Sequence, residues 1–230
     1  MAFHGGSGSN YPFPQQSAFH SLAEQEGFVV AYPLAQLLVG HEGEWLLNTG
    51  VQPTRDIRFV DALIQDVQTF VTLDTKRIYA TGYSLGSMFT YELACHLSNR
   101  IAAIASFAGT MPVNPTSCEI SRGYPVMHIH GDDDSIIGYG GPWDWKAWDS
   151  VGTMHGVPGL VEYWSTKNAC LTSVENEISA SRHTVHSDCT DNVRVEHIRL
   201  SGHDHGWPET IDGVSTHQVI WNFLSGFQKP

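Results

Sequence analysis

Apolar and polar positions fall in alternating blocks along this chain. Short apolar runs occur at residues 28–32 (FVVAY), 77–82, 101–108, 125–130 and 193–200. Continuous runs of that length predict strands buried on both faces of a parallel sheet, with 193–200 as the last of them. Between them the period lengthens. In residues 56–72, Ile57, Val60, Ile64, Val67 and Val71 recur at spacings of three and four. Such an apolar stripe suits a helix lying on a sheet. Further helices are expected over 17–26, 85–97, 157–167 and 216–223. Strand and helix in alternation predict a doubly wound, mostly parallel α/β sheet, with its functional loops at the carboxyl ends of the strands. No internal repeat or long linker interrupts the pattern, so residues 1–230 read as a single domain.

Composition narrows what such a domain does. Charged residues make up 16% of the chain and aromatics 11%, with seven Trp. That balance suits an aromatic-lined site better than a charged surface. The formal net charge is -12, which would repel a phosphate backbone, so no nucleic-acid partner is expected. No run approaches the ~18 apolar residues of a membrane span, so no membrane partner is expected either. The chain opens MAFHGG, without a charged and apolar leader. It reads as though it starts at the end of a buried strand, so the expected sheet is incomplete at its N-terminal side. Cys95, Cys118, Cys170 and Cys189 form no CxxC pair, which argues against structural zinc. Two local disulfides, implying an oxidising compartment, stand against four reduced core thiols.

The strongest local signal is Gly82-Tyr83-Ser84-Leu85-Gly86. It has the G-x-S-x-G form, follows a predicted strand and precedes a predicted helix, the context of a nucleophile elbow. The turn is tight enough that side chains at 82 and 86 would clash, and it lifts Ser84 above the sheet at a helix N-terminus. The alternative is an ordinary glycine-rich turn. A serine hydroxyl needs a base, which in this fold class follows later in the order Ser, acid, His. The strand at 125–130 runs into Asp132-Asp133-Asp134, and that at 193–200 runs into His203-Asp204-His205. Either cluster has more than one candidate. Surface turn residues, or a metal site at 203–205, are the competing readings, but the triad already explains the cluster and no metal or other cofactor is expected. His4-Gly5-Gly6-Ser7-Gly8-Ser9 matches the glycine-rich loop that supplies an oxyanion-hole N–H, here Gly6 paired with Leu85.

These segments together resemble the secreted α/β-hydrolase esterases that include polyhydroxybutyrate depolymerases and bacterial feruloyl esterases. The resemblance runs through the glycine loop, residues 27–33, residues 56–64 leading to the elbow, and Leu93-Ala94-Cys95. It continues through His130-Gly131-Asp132-Asp133-Asp134 (H-G-x-x-D), Tyr163-Trp164 with Asn168-Ala169-Cys170, and His205-Gly206-Trp207-Pro208 (H-x-W-P). It implies Asp134 as acid and His205 as base. It also implies pairing of Cys95 with Cys118 and of Cys170 with Cys189, in a secreted protein. The implied activity is a serine carboxylesterase without a cofactor, acting on a polymeric or bulky ester. A feruloyl-type ester of plant polysaccharide comes first, a polyhydroxyalkanoate or other short-chain polyester second, and acetylated xylan third. Tyr83 and Trp207 are expected to meet substrate, as is one of the tryptophans of the loop that carries Trp143, Trp145 and Trp148, with Trp143 and Trp145 the candidates; packing of that loop is the plainer alternative. No long insertion lies between 108 and 125, which argues against a large lid. A binding protein of this fold without catalysis remains the reading of a different class.

Overall fold

The computed structural model describes residues 1–6, 12–36, 45–47, 55–145 and 151–230. Among these the main sheet has seven strands. They are β1 (Ala2–Phe3), β2 (Tyr79–Tyr83), β3 (Ala103–Phe107), β4 (Val126–Gly131), β7 (Thr172–Ile178), β8 (Ser181–Ser187) and β9 (Val195–Leu200), in the order β1-β2-β3-β4-β9-β8-β7. β1, β2, β3, β4 and β9 are parallel, and β8 and β7 extend the edge antiparallel. Every residue of β2, β3 and β4 is buried. That is why these strands carry continuous apolar runs rather than alternation. The small hairpins β5 (Trp143–Asp144)/β6 (Thr153–Met154) and β10 (Thr210–Ile211)/β11 (Val214–Ser215) stand outside the sheet.

Helices cover both faces. On one side lie α3 (Arg55–Val67), α4 (Leu85–His96) and α5 (Val157–Lys167), contributing Ile57, Val60, Ile64, Leu93 and Trp164 to one buried cluster. On the other, α1 (Phe13–Ser17), α2 (Phe19–Glu26) and α6 (Thr216–Leu224) contribute Phe13, Phe19, Ile220 and Phe223 to a second. Two clusters separated by a sheet are what the doubly wound pattern predicts.

Several expectations need correction. Residues 28–32 form no strand: only one backbone bond, Ala2 N–H to Ala31 O at 2.9 Å, reaches β1, and Val29 is 51% exposed. Their apolar character is used in packing instead, since Phe28 stacks on Trp221 of α6 with centroids 4.0 Å apart. The helix expected over 17–26 is two helices broken at Ala18, whose φ is 53°. The helix expected to reach residue 72 ends at Val67. There Thr69 bonds Asp66 O through both its N–H and its hydroxyl, which competes with the helical ladder. The β7–β8 hairpin was not anticipated, and the strand at 195–200 is not the last, since β10 and β11 follow it.

Both disulfides form with the expected pairing, Cys95–Cys118 and Cys170–Cys189. The first ties α4 to the loop before β4 across a sequence separation of 23. Loop-closure entropy assigns such a link about 3 kcal/mol. Replacing Cys95 and Cys118 together with alanine will therefore lower the melting temperature by roughly 6–12 °C under non-reducing conditions, read by thermal circular dichroism.

Candidate active site

Ser84 sits between β2 and α4 with φ 53° and ψ -121°, a region that a side chain occupies only under constraint. The constraint is visible on both sides. A Cβ at Gly82 would strike the carbonyl of Gly86, and one at Gly86 would strike the carbonyls of Phe3 and His4. The Ser84 N–H bonds Phe107 O at 2.9 Å, and its carbonyl accepts from Met88 N at 3.0 Å. An ordinary serine at a helix N-cap turns its hydroxyl back onto the helix. Ser84 makes no such cap bond; its Oγ lies 2.9 Å from His205 Nε2. The first N–H groups of α4, which have no intrahelical acceptor, are thereby left for another oxygen.

His205 Nδ1 lies 2.7 Å from Asp134 Oδ2. The acid comes from the loop after β4 and the base from the loop after β9, and these two strands are neighbours. Of the three consecutive aspartates, each has a separate place. Asp132 accepts from Arg199 Nε at 2.9 Å and Nη2 at 2.6 Å and from the Gly202 N–H at 2.6 Å. Asp133 is exposed. Asp134 has a fully buried side chain. Its Oδ1 accepts from Ile136 N at 2.9 Å and Ile137 N at 2.7 Å. Burial alone would raise this carboxyl, but hydrogen bonds from His130, His205 and the Ile137 N–H outweigh it and hold the group well below the usual carboxylate range. Of the two histidines, His203 turns away and bonds Gly206 O at 2.7 Å.

The two loops are laced together by residues that motif reading passed over. Gly131 lies so close to the His203 carbonyl that a Cβ would collide with it. Asp204 Oδ1 accepts from Ser135 N at 2.9 Å, Ser135 Oγ at 2.8 Å and His205 N at 2.7 Å. These bonds, led by the one from the Ser135 N–H, keep Asp204 ionised at lower pH than usual. Tyr83 donates its hydroxyl to the His205 carbonyl, fixing the base from below. Tyr83 and Trp207, expected to meet substrate, are 7% and 8% exposed. Their rings pack at 6.1 Å, and Trp207 also meets Phe13 at 5.4 Å and Phe107 at 5.0 Å. That aromatic cluster packs beneath the base loop.

The glycine loop lies against the elbow. A Cβ on Gly5 would come within 3.1 Å of Ser84 Cβ, whereas one on Gly6 would meet nothing within 4 Å. His4 anchors the loop: its buried ring takes the Ala35 N–H on Nε2 at 3.0 Å and places Nδ1 2.7 Å from Gly5 O. Burial lowers its pKa against the raising effect of the Gly5 bond, and an Nε2 that accepts means a neutral ring. The His4 carbonyl in turn accepts from Trp45 Nε1 at 3.0 Å. Ser7, Gly8 and Ser9 lie outside the described residues, as does Trp148. Trp143 and Trp145 are half-buried, their rings 5.7 Å apart. The β5–β6 hairpin that carries Trp143 abuts the segment after β3, where Pro112 bridges Met154 and Thr110 bonds the His155 carbonyl at 2.7 Å. Among the described residues no group of three or more His, Cys, Asp or Glu is arranged to hold a metal ion.

This geometry agrees with what the chain is similar to. Residues 54–141 match the Phospholipase/Carboxylesterase family. The acetyl xylan esterase of Aspergillus awamori superposes with a TM-score of 0.70 at 13% identity, covering 97% of this chain and 87% of that one. The chain has the α/β-hydrolase fold. Among sequence relatives, the bifunctional acetylxylan esterase/xylanase XynS20E of Neocallimastix patriciarum is 28% identical over 93% of the chain. Feruloyl esterase B of Piromyces equi is 24% identical over 98% of it. The chain spans only 29% and 41% of the length of those two relatives.

Proposed function

We propose that this protein is a serine carboxylesterase of the α/β-hydrolase type, and that its substrates are hydroxycinnamoyl esters of plant polysaccharide. The observation that carries the reading is the unbroken line from Asp134 Oδ2 through His205 to Ser84 Oγ, at 2.7 and 2.9 Å. Ser84 Oγ attacks the ester carbonyl while His205 Nε2 takes its proton. Asp134 keeps the Nδ1–H of the imidazole in place and stabilises the imidazolium. The N–H groups of Leu85 and Gly6 receive the oxyanion of the tetrahedral intermediate. Its collapse breaks the ester C–O bond, and the alcohol leaves with the proton from His205. Water, deprotonated by the same base, then cleaves the acyl-enzyme and frees the acid. Every step is supplied by side chains and backbone of this chain, so the scheme needs no cofactor.

The substrate class is supported by the feruloyl esterase relatives and by the half-buried Trp143–Trp145 pair, which offers aromatic surface to a phenolic ring. A second reading, hydrolysis of acetyl groups on xylan, is favoured by the relative and the fold neighbour whose names carry that activity. The two disulfides support secretion into an oxidising environment. Parallel assays with methyl ferulate, acetylated xylan and a polyester emulsion will test the ranking. Turnover of methyl ferulate at least tenfold above the other two is expected; a preference for acetylated xylan would replace the first reading with the second.

A further inference from the structure

Behind Asp134 the core contains a line of polar groups that the ester-cleaving scheme does not use. Tyr91 on α4, His128 and His130 on β4 are 1%, 1% and 0% exposed. Tyr91 Oη lies 2.8 Å from His128 Nδ1, and His128 Nε2 lies 3.1 Å from His130 Nδ1. His130 Nε2 lies 2.8 Å from Ile137 O and 3.1 Å from Asp134 Oδ2. Both of those last partners only accept, so the hydrogen must sit on His130 Nε2.

We propose that His130 is a positioning residue for the Asp134–His205 pair, the last donor of a buried hydrogen-bond chain that runs from Tyr91 through His128 to Asp134 Oδ2. The direction of the chain follows from its end. With Nε2 protonated, a neutral His130 accepts at Nδ1, so His128 donates from Nε2. His128 then accepts at Nδ1, and the Tyr91 hydroxyl donates to it. Burial, and after it the neighbouring His130 and His197 rings, push the His128 pKa well down, which fits a neutral ring in that tautomer. His197 on β9 fits the same scheme, with Nδ1 3.0 Å from His128 O and Nε2 2.8 Å from Tyr139 Oη.

The chain ends on the same carboxylate oxygen that holds His205. A second donor there draws charge from the oxygen and lessens its pull on the imidazolium of His205. Removing His130 as a donor is therefore expected to show in the pH dependence of the reaction at Ser84. The charged and titratable groups that face His130 are Asp134, His128, His197 and Tyr139, whose ring stands 6.0 Å away. Those that face His205 are Asp134, Asp204 and Tyr83. None of these others donates a side-chain hydrogen to Asp134 except His205 itself.

The proposal rests on the serine-hydrolase reading, and one experiment separates the two. The rate at which a fluorophosphonate labels Ser84 is followed from pH 5 to 9 in the parent protein and in His130→Leu and His130→Gln. Leucine removes the donor, and its acidic limb is expected to move up by about one pH unit. Glutamine retains an N–H of similar reach and keeps the limb of the parent. A general loss of packing would slow labelling in both variants without moving the limb. A parent protein that is not labelled overturns the esterase reading itself. A parent that is labelled, with a leucine variant sharing its limb, overturns the positioning role alone. Nitrogen-15 spectra of the histidines in the unaltered protein provide a readout that needs no variant. The Nε2–H form is expected for His128 and His130, and a His130 protonated only on Nδ1 would refute the chain.

Discussion

Replacing Ser84 with alanine will reduce turnover of a short nitrophenyl ester by about 10⁵–10⁶-fold while leaving the melting temperature almost unchanged. The size follows from the position of the hydroxyl. Its Oγ is the atom held 2.9 Å from His205 Nε2, and no neighbouring group replaces it as a nucleophile. Stability is spared because the hydroxyl makes no helix cap, and because the strained φ of 53° is imposed by the backbone around it. Alanine inherits that strain unchanged. Three residues acting as one unit lose their effect once, not three times. Thus Ser84→Ala combined with His205→Ala will be no slower than either alone, within a few fold. Asp134→Asn will cost about 10⁴-fold, since an amide favours the wrong tautomer of the base. The residual rate, owed to the oxyanion donors and substrate binding, is to be measured against the uncatalysed reaction. A Ser84→Ala protein that retains more than a hundredth of the parent rate would place the nucleophile elsewhere and remove the catalytic scheme.

How much of this was legible in the sequence differs from element to element. The helix at 157–167 forms with the expected bounds because a Gly-Val-Pro start and an apolar stripe agree with its burial. The elbow was legible because Gly82 and Gly86 are sites where backbone atoms approach too closely for any side chain. The order of Ser84, Asp134 and His205 was also legible, yet the choice of Asp134 and His205 within their clusters came from family resemblance. Geometry now separates them: Arg199 occupies Asp132, and Gly206 occupies His203. The β7–β8 hairpin was invisible for a different reason. All of β7 is exposed, so its sequence TSVENEI is mostly polar, with only Val174 and Ile178 apolar, and the turn at Ser179 takes a φ of 52° without a glycine or asparagine to announce it. An aromatic beside a catalytic residue looks the same in sequence whether it touches substrate or supports a loop, and Tyr83 and Trp207 are only 7% and 8% exposed. The burial of His128, His130 and His197 was equally hidden: His130 opens the H-G-x-x-D segment, but that motif marks the acid and says nothing of a buried donor chain.

Those same histidines predict a steep loss of stability in mild acid. His197 is held neutral by burial, its pKa lowered to about 4, although the His128 carbonyl bond opposes the shift; the Arg199 charge adds to it. Its ring also meets the Tyr139 hydroxyl. In the unfolded chain the same group titrates near ~6.5. Between these values the unfolded state binds a proton that the native state does not, so stability rises with pH and falls as pH is lowered. Taking His197 from pH 7 to about 4 costs the fold about 3 kcal/mol, and His128 adds a loss of the same sign. The carboxylates continue the trend further down. Asp132 and Asp134 are both held below their ordinary range, so the stability they contribute is present above about pH 4 and is lost as pH falls through their native values. The melting temperature is therefore expected to fall steadily from pH 7.5 to 4.5, by roughly 5–10 °C for the His197 contribution alone. Tryptophan fluorescence and circular dichroism recorded across that range provide the check. Loss of activity from protonating His205 is immediate and reverses at once, whereas loss through unfolding follows the melting curve. A melting temperature that stays flat down to pH 4.5 would mean that these rings enter the folded core already charged, and the neutral donor chain behind Asp134 would fall with it.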